Sequence, residues 1–464
     1  MDIDRLTTIL RQRVAGGVCL DDESLAVASR DFGGVAESRP RIVVWPNNTD
    51  DVVAIIRTAR ETETSLAVRG AGHSQGGQAL SRGGIVIQTQ RLRGIEAFSE
   101  TEGLVTAHAG TLWSDLVDTV LERNLLPPVM TDNLKVTLGG TLAVGGVGPA
   151  SFRLGAQIDH CLGLEVVLGT GERVWFSEEH QPRLFHHVLG GLGQFGVVTK
   201  VRLRLRPAAS FIRSHFLTYD SVETFLADAQ QLMAREAVHW LSGFGVPKEH
   251  QVAGSIRHYF VLAVSEKTDQ IPPRDQLQIV DGMSAAVRSQ VNVTTPDYLA
   301  RLEAVFEGYQ RPAESNLAHP WVEHFLPIST VPEYVKVVST KFPTDLLLLW
   351  PMRTASFQQP MFCLPGVDDV VLVGILCSRR HPDLAEVLSQ LRNVDELGIA
   401  LGGKRYLSGW IDFDGDRWCQ HYGVERWKEI TSIQRECDPD GLFRLWERAT
   451  VLRAFENGGT MTQL

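Results

Sequence analysis

The sequence is poor in cysteine and contains no closely spaced cysteine pair. Its six cysteines are Cys19, Cys161, Cys363, Cys377, Cys419 and Cys437. This wide spacing argues against a zinc ribbon and against a small scaffold held together by disulfide bonds. We therefore expect free, mostly reduced thiols.

Long hydrophobic runs and an excess of positive charge are also missing. The apolar run around Leu346–Trp350 is far shorter than the roughly 18 residues of a membrane span. Acidic residues outnumber basic ones, 55 to 45, which disfavours a general nucleic-acid binder because phosphate contacts need lysine and arginine. Residues Met1–Arg5 lack the basic and apolar start of a secretory signal. We expect a cytoplasmic protein that binds neither nucleic acid nor membrane.

The remaining composition is that of a soluble globular protein. Hydrophobic residues make up 44% and charged residues 22%, values that exclude wholesale disorder and a fibrous architecture. At roughly 150 residues per domain, the 464 residues predict two or three domains, or one large interrupted domain.

Strand and helix signals alternate through the first 207 residues. Short β-branched runs predict strands, and apolar residues at helical spacing after a polar capping group predict helices. The predicted elements are a strand over 41–45, a helix over 50–59, a strand over 66–69, a helix over 111–121 capped by Thr111 and followed by Asn124, a hairpin of 166–168 and 174–176, and a strand over 197–205. Pro207 ends the last strand, and the changed composition from 208 to 406 indicates a second domain.

The most informative segment is Val68–Gln78, in which glycines directly follow a predicted strand. Such glycines let the backbone approach a ligand and expose consecutive N–H groups that bind phosphate; a plain glycine turn is the simpler alternative. Gly72–Gly76 also fits the G-x-S-x-G pattern of serine hydrolases, but a nucleophile elbow must lead into a helix and the residues that follow are poor helix formers. Gly191–Gly196 fits G-x-G-x-x-G, yet it leads into a strand, so we do not interpret it as an NAD site.

The segment Arg69–Ala79 resembles the flavin-linking segment of the cytokinin dehydrogenases, which belong to the vanillyl-alcohol-oxidase-like FAD proteins. The resemblance continues in the same order along most of the chain. The other blocks that resemble this family are Thr131–Leu134, Thr137–Leu142, Gly145–Gly148, Phe152–Gly155, Leu189–Thr199, His319–Trp321, Lys404–Leu407 and Asp438–Pro439.

The resemblance implies a fold class and a cofactor. The fold would be α+β, with a two-part FAD-binding domain of the vanillyl-alcohol-oxidase type and a cap-like substrate domain that contains an antiparallel sheet. Residues 1–207 and a return segment, 407–464, would form the FAD-binding domain, and residues 208–406 the substrate domain. FAD would be attached covalently through His73.

The resemblance also implies roles for individual residues. Asp132 would be the catalytic base, which takes a proton while hydride leaves the adjacent carbon for the flavin; from its neighbours alone, Asp132 could also be an Asx-turn residue. The FAD-binding residues would be His73, Val68, Gly70, Ala71, Gly72, Ser74, Gln78, Thr137, Val147, Val198 and Tyr406.

The substrate-site positions depart from the family pattern more than the cofactor-site positions do. Ser242 stands where the family has an acid that contacts the substrate amine, and Phe357 stands where a tryptophan packs on the substrate. Leu407 would complete the substrate-binding residues. The family's C-terminal A-P-G-Q segment is replaced by Gly441–Arg444, and Cys161 lies too far from Gly145–Gly148 to tether the flavin a second time.

These expectations define a reaction and its alternatives. The enzyme would oxidise a C–N or C–O bond of a small molecule, with cytokinin-like secondary amines as the first candidates, and oxygen or another, quinone-like acceptor would reoxidise the flavin. An alcohol, a sugar or a natural-product intermediate is the alternative substrate, and a flavoprotein scaffold without net redox turnover is the alternative of another class. His186, His187, His319 and His324 lack metal-ligand spacing, so no metal is expected. The sequence leaves the exact substrate and the oligomeric state open.

Overall fold

The computed structural model describes residues 2–248, 258–270, 278–285, 287–309, 317–342, 344–380 and 383–443. Strands and helices alternate in its first part. The helices there are α1 (Ile3–Arg13), α2 (Asp22–Ala28), α3 (Thr49–Glu61), α4 (Trp113–Leu121), α5 (Leu138–Leu142), α6 (Ser151–Leu154) and α7 (Pro182–Val188). The strands are β1 (Gly17–Cys19), β2 (Ile42–Trp45), β3 (Leu66–Arg69), β4 (Ile85–Gln88), β5 (Ile95–Ser99), β6 (Leu104–His108), β7 (Leu125–Leu126), β8 (Cys161–Val167), β9 (Arg173–Phe176), β10 (Val197–Arg204) and β11 (Arg206–Pro207).

The first sheet has the strand order β1-β2-β4-β3. Strands β2, β4 and β3 are parallel, and β1 is antiparallel to β2. Helix α3 connects β2 to β3, and the Asn48 side chain caps it by accepting a hydrogen bond from the Asp51 N–H. Its apolar side buries Val52, Ile55 and Ile56, each of which contributes about 1.5–3 kcal/mol of burial free energy. The predicted strands and helix of this region are confirmed.

The second sheet is antiparallel, with the strand order β5-β6-β10-β8-β9. Side chains of β10 alternate between the core and the more exposed face, as the period-two pattern predicts. Strands β8 and β9 form the predicted hairpin. Asn124, which follows helix α4 as predicted, has a left-handed backbone with φ +54°. Gly191–Gly196 leads into β10 and opens no helix, as expected for a sequence that is not an NAD fingerprint.

One capping prediction is wrong. Helix α4 begins at Trp113, and Leu112 stands at its N-cap without a side-chain cap. The Thr111 hydroxyl instead accepts a hydrogen bond from the Gly94 N–H at 2.9 Å. Thr111 therefore fastens the preceding loop and does not start the helix.

The second part is built on one large antiparallel sheet. Its helices are α8 (Val222–Met233), α9 (Thr295–Ala300), α10 (Glu303–Tyr309), α11 (Val331–Lys341) and α12 (Leu384–Ala400). Its strands are β12 (Phe211–Tyr219), β13 (Trp240–Pro247), β14 (His258–Thr268), β15 (Val287–Thr294), β16 (Leu317–Ala318), β17 (Val322–Pro327), β18 (Leu346–Arg353), β19 (Asp369–Leu376), β20 (Arg379–Arg380) and β21 (Lys404–Arg405). Within the described residues the sheet order is β15-β12-β14-β13-β18-β19-β17-β21.

The two faces of this large sheet pack against different partners. Leu347, Leu349 and Val373 lie in the core formed with α8, α11 and α12. Trp350 and Leu372 point the other way, into the core shared with the first part of the chain. The second face therefore forms one wall of the space between the two parts.

The chain then returns toward its first part. Helices α13 (Gly415–Tyr422) and α14 (Val424–Cys437) follow β21, and the Leu66 N–H donates to the carbonyl of Leu442 at 2.9 Å. The remainder of the predicted return segment, residues 444–464, lies outside the described residues. The division at 207/208 and 406/407 stays a prediction. In the described part of the chain, no helix combines the length and apolar character needed to cross a bilayer. The six cysteines are all described and unpaired.

Candidate functional site

A glycine turn follows the carboxyl end of the parallel strand β3. Gly72 and Gly77 adopt φ +76° and +80°, which glycine reaches without strain. Within the described residues, the backbone N–H groups of Gly70, Ala71, Gly72, His73 and Ser74 donate to no acceptor. A row of free N–H groups in such a turn forms an anion-binding concavity. Residues 70–84 contain turns and bends and no helix, which is inconsistent with a nucleophile elbow.

Asp31 holds this turn in shape. Its Oδ2 accepts hydrogen bonds from the Ser74 hydroxyl at 3.0 Å and from the Gly77 N–H at 2.8 Å. Burial raises the pKa of the Asp31 carboxyl to about 6, and these hydrogen bonds oppose that shift. Asp31 is not predicted from the sequence, because nothing in its local sequence indicates a partner 43 residues away.

Two close approaches explain why glycine is needed in the turn. A Cβ on Gly70 would lie 2.2 Å from Oγ1 of Thr137, and a Cβ on Gly72 would lie 2.3 Å from Nη2 of Arg69. Thr137 caps α5 by accepting a hydrogen bond from the Gly140 N–H at 3.2 Å. The Arg69 guanidinium, nearly buried, brings positive charge to the turn. These two predicted positions, Gly70 and Thr137, are therefore in direct contact.

His73 lies at the end of the row of free N–H groups. Its Nε2 is 2.9 Å from Nδ2 of Asn133. Its ring stacks on Phe32 with a centroid distance of 4.2 Å, and Phe32 also stacks on His319 at 4.6 Å. Burial, with a smaller contribution from His319, lowers the pKa of His73 to about 4. The imidazole is therefore neutral at physiological pH.

Asp132 is one residue from the partner of His73. Its Oδ1 accepts a hydrogen bond from Nη2 of Arg301 in an ion pair. The Asp132 side chain is only 11% exposed, and a carboxylate held in this way can accept a proton from a molecule placed beside His73. Asp132 is therefore the sequence neighbour of the residue that contacts His73, and its own side chain pairs with Arg301, a residue not predicted from the sequence.

Tyr406 connects the strand-like segment after α12 to the first part of the chain. Its hydroxyl oxygen accepts a hydrogen bond from the Gly146 N–H at 3.1 Å, and burial raises the pKa of this hydroxyl. The Tyr406 ring packs near Phe325 and Phe362, with centroid distances of 5.7 and 5.5 Å. Val147 is buried in the same core.

Phe357 and Leu407 belong to the surroundings of Tyr406. The Phe357 ring stacks on Phe362 at 5.1 Å, and Leu407 is buried in the same core. Among the described ring contacts, none joins Phe357 to His73. These two predicted substrate residues therefore lie with the Tyr406 group.

A buried charge network anchors the segment that carries Tyr406. The Arg405 guanidinium donates to the Glu323 carbonyl at 3.2 Å, to Asp395 at 3.0 Å and to the Trp410 carbonyl at 2.5 Å. Asp395 also contacts Nε2 of His324 at 2.8 Å. Buried charges are tolerated when they are paired in this way, so the network fixes the backbone on both sides of Tyr406.

Ser242 lies on the face of the large sheet that points toward the first part. Side chains alternate along β13, so Ser242 shares a face with Trp240, while Leu241 packs on the helix side. Trp240 contacts the Tyr298 ring at a centroid distance of 5.2 Å. Ser242 is 4% exposed. It therefore presents a short, neutral side chain on this wall.

A second acid, Glu323, was not predicted for this face. It lies on β17, and alternation along this strand puts Glu323 and Phe325 on one side. The Ser408 hydroxyl donates a hydrogen bond to Glu323 Oε2. Burial raises the pKa of Glu323 to about 7, while Ser408 and Arg405 oppose this shift.

The remaining predicted cofactor residues are Gln78, Val68 and Val198. The Gln78 side chain is used within the turn, where its Oε1 accepts a hydrogen bond from the Gly76 N–H at 2.8 Å. Val68 and Val198 lie half-buried on β3 and β10. In the described chain, no group of three or more histidine, cysteine or acidic residues is placed to hold a metal ion.

The residues present fit a flavin dinucleotide. The free N–H groups from Gly70 to Ser74 suit a pyrophosphate. Gln157 is 1% exposed, and neither Nε2 nor Oε1 of its buried carboxamide has a hydrogen-bond partner among the described residues. A Cβ on Gly146 would lie 2.0 Å from that Oε1. A buried amide without hydrogen bonds lowers the stability of the folded protein. The unpaired Nε2 and Oε1 of Gln157 therefore indicate a polar ligand with both acceptors and donors, which a flavin ring provides.

Comparisons with known proteins agree with this geometry. Residues 40–177 match the family model of the FAD binding domain, and residues 275–444 match the model described as cytokinin dehydrogenase 1, FAD and cytokinin binding. An uncharacterized oxidoreductase of the fasciation locus of Rhodococcoides fascians is 30% identical over 424 residues, covering 90% of this chain and 95% of that protein. Cytokinin dehydrogenase 8 of Oryza sativa subsp. japonica is 30% identical over 475 residues, covering 89% and 88%.

A solved structure shares the fold. 6-hydroxy-D-nicotine oxidase from Arthrobacter nicotinovorans superposes with a TM-score of 0.73 at 20% sequence identity, covering 93% of this chain and 97% of that one. The predicted α+β fold class, with an FAD-binding part and a substrate part, is confirmed.

Proposed function

The chain belongs to the cytokinin dehydrogenase family of FAD-dependent oxidoreductases, and on this premise we propose that it oxidises a C–N or C–O bond of a small molecule. FAD, when bound, supplies the acceptor for a hydride. The observation that carries the proposal is the 2.9 Å contact between Asn133 and His73. It joins the residue next to Asp132 to the predicted flavin attachment residue.

His73 serves as the covalent attachment point of the flavin. Its Nε2 is engaged by Asn133, which leaves Nδ1 for the bond to the flavin methyl carbon. An imidazole must be neutral to form such a bond, and a pKa lowered to about 4 keeps His73 neutral. Phe32, stacked on the ring at 4.2 Å, restricts its orientation. A ring fixed before the bond forms loses little entropy when it forms.

Asp132 serves as the general base. A carboxylate beside the flavin attachment residue accepts the proton of the substrate amine or hydroxyl as hydride leaves the adjacent carbon. At 11% exposure, Asp132 is shielded from bulk water. Shielding strengthens its interaction with a proton donor.

Other residues of this chain hold the ring and its surroundings. Tyr406, fixed to Gly146, and the aromatic group around Phe362 would exclude water from the part of the site next to Gly146. The five free N–H groups from Gly70 to Ser74 bind the pyrophosphate. Gln157 offers the flavin ring the donor and the acceptor of its buried carboxamide, neither of which has a partner among the described residues.

The leading substrates are cytokinin-like secondary amines, since a cytokinin-binding family model matches residues 275–444. Ser242, in place of the family's acid, favours the second candidate class, an alcohol, a sugar or a natural-product intermediate. Oxygen or a quinone-like acceptor then takes the electrons.

Anaerobic flavin reduction tests the proposal. The purified protein is mixed with a panel of secondary amines, alcohols and sugars without oxygen, and the visible absorbance band of the oxidised flavin is followed. We expect at least one class to bleach the flavin. Product formation with an unbleached flavin would instead identify a scaffold without net redox turnover.

A further inference from the structure

The candidate site contains a positively charged side chain, Arg301, next to Asp132. Arg301 directly follows α9, and its Nη2 forms the ion pair with Asp132. Its Nη1 donates to the Tyr298 carbonyl at 2.9 Å, and its guanidinium carbon lies 4.1 Å from the centre of the Tyr298 ring. Tyr298 in turn packs on Trp240. The guanidinium is therefore held from three sides.

Arg301 also belongs to the segment that covers the site. Phe306, on the next helix, contacts the His73 ring edge-on at a centroid distance of 6.2 Å. Tyr309, at the end of that helix, contacts Phe32 at 5.9 Å. The segment from Arg301 to Tyr309 thus contacts both Asp132, through Arg301, and the His73 ring, through Phe306.

The charges around Arg301 do not favour a cationic amine. Asp132, the group that would attract an ammonium, is already neutralised by Arg301. Glu303, the next acid along the chain, is paired with Lys135 at 2.5 Å. Lys267 lies 5.0 Å from the Trp240 ring on this wall, and burial, with a smaller contribution from Arg206, lowers the pKa of its amine to about 7.

Arg301 remains available to a ligand. Burial acts to lower its pKa, but Asp132 and Tyr298 raise the pKa above its ordinary value, so the guanidinium stays charged. Its side chain is 28% exposed. Within the described part of the chain its acceptors are Asp132 and the Tyr298 carbonyl, whereas a guanidinium has five N–H donors. The unused donors match the two oxygens of a carboxylate.

We propose that Arg301 determines substrate specificity by binding a carboxylate group of the substrate. This carboxylate lies beside the carbon that is oxidised while Asp132 accepts the proton. The inference rests on the proposed function and narrows its second candidate class, because it selects the natural-product intermediates that carry a carboxylate beside an oxidisable amine or hydroxyl over the uncharged cytokinin-like amines. In this arrangement the substrate carboxylate replaces Asp132 as the ion-pair partner of the Arg301 guanidinium. The Asp132 carboxylate is then available to accept the proton of the substrate amine or hydroxyl.

Ligand binding to the flavin-containing protein tests this without turnover. Benzoate, phenylacetate and indole-3-carboxylate are titrated against their uncharged amides, and the perturbation of the flavin spectrum gives each dissociation constant. In the unmutated protein we expect at least one carboxylate to bind tenfold or more tightly than its amide.

Three variants assign the effect to Arg301. In Arg301→Gln the carboxylate should bind about tenfold to hundredfold more weakly, as loss of a charge-assisted hydrogen bond predicts, while the amide is unchanged. Arg301→Lys should be intermediate, since it keeps the charge but not the planar donor pair. Asp132→Asn should bind carboxylates more tightly, because the guanidinium loses its internal partner. Arg11→Gln, an exposed arginine on α1, is the matched control.

The outcomes separate the two proposals. If no carboxylate outbinds its amide, or if Arg301→Gln binds carboxylates as the unmutated protein does, the inference about Arg301 is overturned, and Arg301 only orients Asp132. Asp132-dependent bleaching by an uncharged amine would then still support the proposed function. Carboxylate binding that depends on Arg301, together with a flavin that no substrate bleaches, would support this inference and contradict the proposed function.

Discussion

The carboxamide nitrogen of Asn133 lies 2.9 Å from Nε2 of His73. Because Asp132 is the preceding residue, one short segment positions both the proposed flavin attachment residue and the proposed base. A shift of this segment by a fraction of an ångström would misplace both groups, and errors of about 1 Å in catalytic geometry cost on the order of a hundredfold in rate.

The first prediction concerns the covalent bond. The flavin should stay with the unmutated protein after acid precipitation, and His73→Ala should release it completely while still folding. The reason is that the alanine variant keeps the row of free N–H groups, which binds FAD non-covalently. The absorbance of pellet and supernatant measures the distribution. His180→Ala, at an exposed histidine, should retain its flavin. Complete release from the unmutated protein would rule out the covalent bond.

The second prediction concerns the glycine turn. Gly70→Ala should greatly reduce flavin content, because the new Cβ would lie 2.2 Å from Oγ1 of Thr137 and must push the cap of α5 away. The ratio of flavin absorbance to protein absorbance measures this. Gly366→Ala is the matched control, since its Cβ would meet nothing within 4 Å. Normal flavin content in Gly70→Ala would show that the turn does not bind the cofactor.

The sequence predicts the elements around the site better than the contacts within it. Strand β3, the glycine turn and helix α3 follow from short-range signals, because β-branched runs, glycines and capping residues act on their own neighbours. Thr111 shows the limit of such signals, since its hydroxyl bonds to Gly94 instead of capping the helix.

The missed residues act across long sequence separations. Arg301 is 169 residues from Asp132, and Asp31 is 43 residues from Ser74. In the sequence, Glu323 looks like an ordinary strand residue. Only the packing of the large sheet shows that its side chain is on the face toward the first part of the chain. Such contacts depend on how the two parts pack, and local sequence patterns carry no signal for them. The family resemblance supplied Asp132 and His73, and it could not supply Arg301 because the resembling blocks do not include that position.

The third prediction concerns pH and stability. Glu323 has a pKa of about 7 in the folded protein against a usual value of 4.5. Between these values the unfolded chain has lost the proton while the folded protein keeps it, so stability falls as pH rises from about 4.5 to about 7. At 1.36 kcal/mol per pKa unit, the loss is about 3 kcal/mol.

Glu323→Gln removes this pH-dependent loss of stability, because glutamine does not titrate. The melting temperature of the variant relative to the unmutated protein should therefore be higher at pH 8 than at pH 5, as measured by thermal unfolding of the flavin-containing protein. Glu333→Gln, at an exposed position on α11, should show no such dependence. An equal difference at both pH values would mean that Glu323 does not titrate in this range.

The fourth prediction concerns specificity. Ser242 offers no charge where the family has an acid, and a lost charge-assisted hydrogen bond corresponds to roughly 1.5–3 kcal/mol, or about a tenfold to hundredfold lower specificity constant. Isopentenyladenine should therefore reduce the flavin poorly under anaerobic conditions compared with the best substrate of the panel. Fast, saturable reduction by micromolar isopentenyladenine would contradict the divergence and indicate a plain cytokinin dehydrogenase.

The most direct test of the central claim is the rate of anaerobic flavin reduction in Asp132→Asn, measured by stopped flow with the best substrate of the panel. Asparagine keeps the shape of the side chain but cannot accept the proton, so the rate should fall by about 10²–10⁴-fold with the resting flavin spectrum nearly unchanged. Asp118→Asn, at an exposed acid on α4, should reduce its flavin at the normal rate. A near-normal rate in Asp132→Asn would show that Asp132 is structural and that the proposed mechanism is wrong.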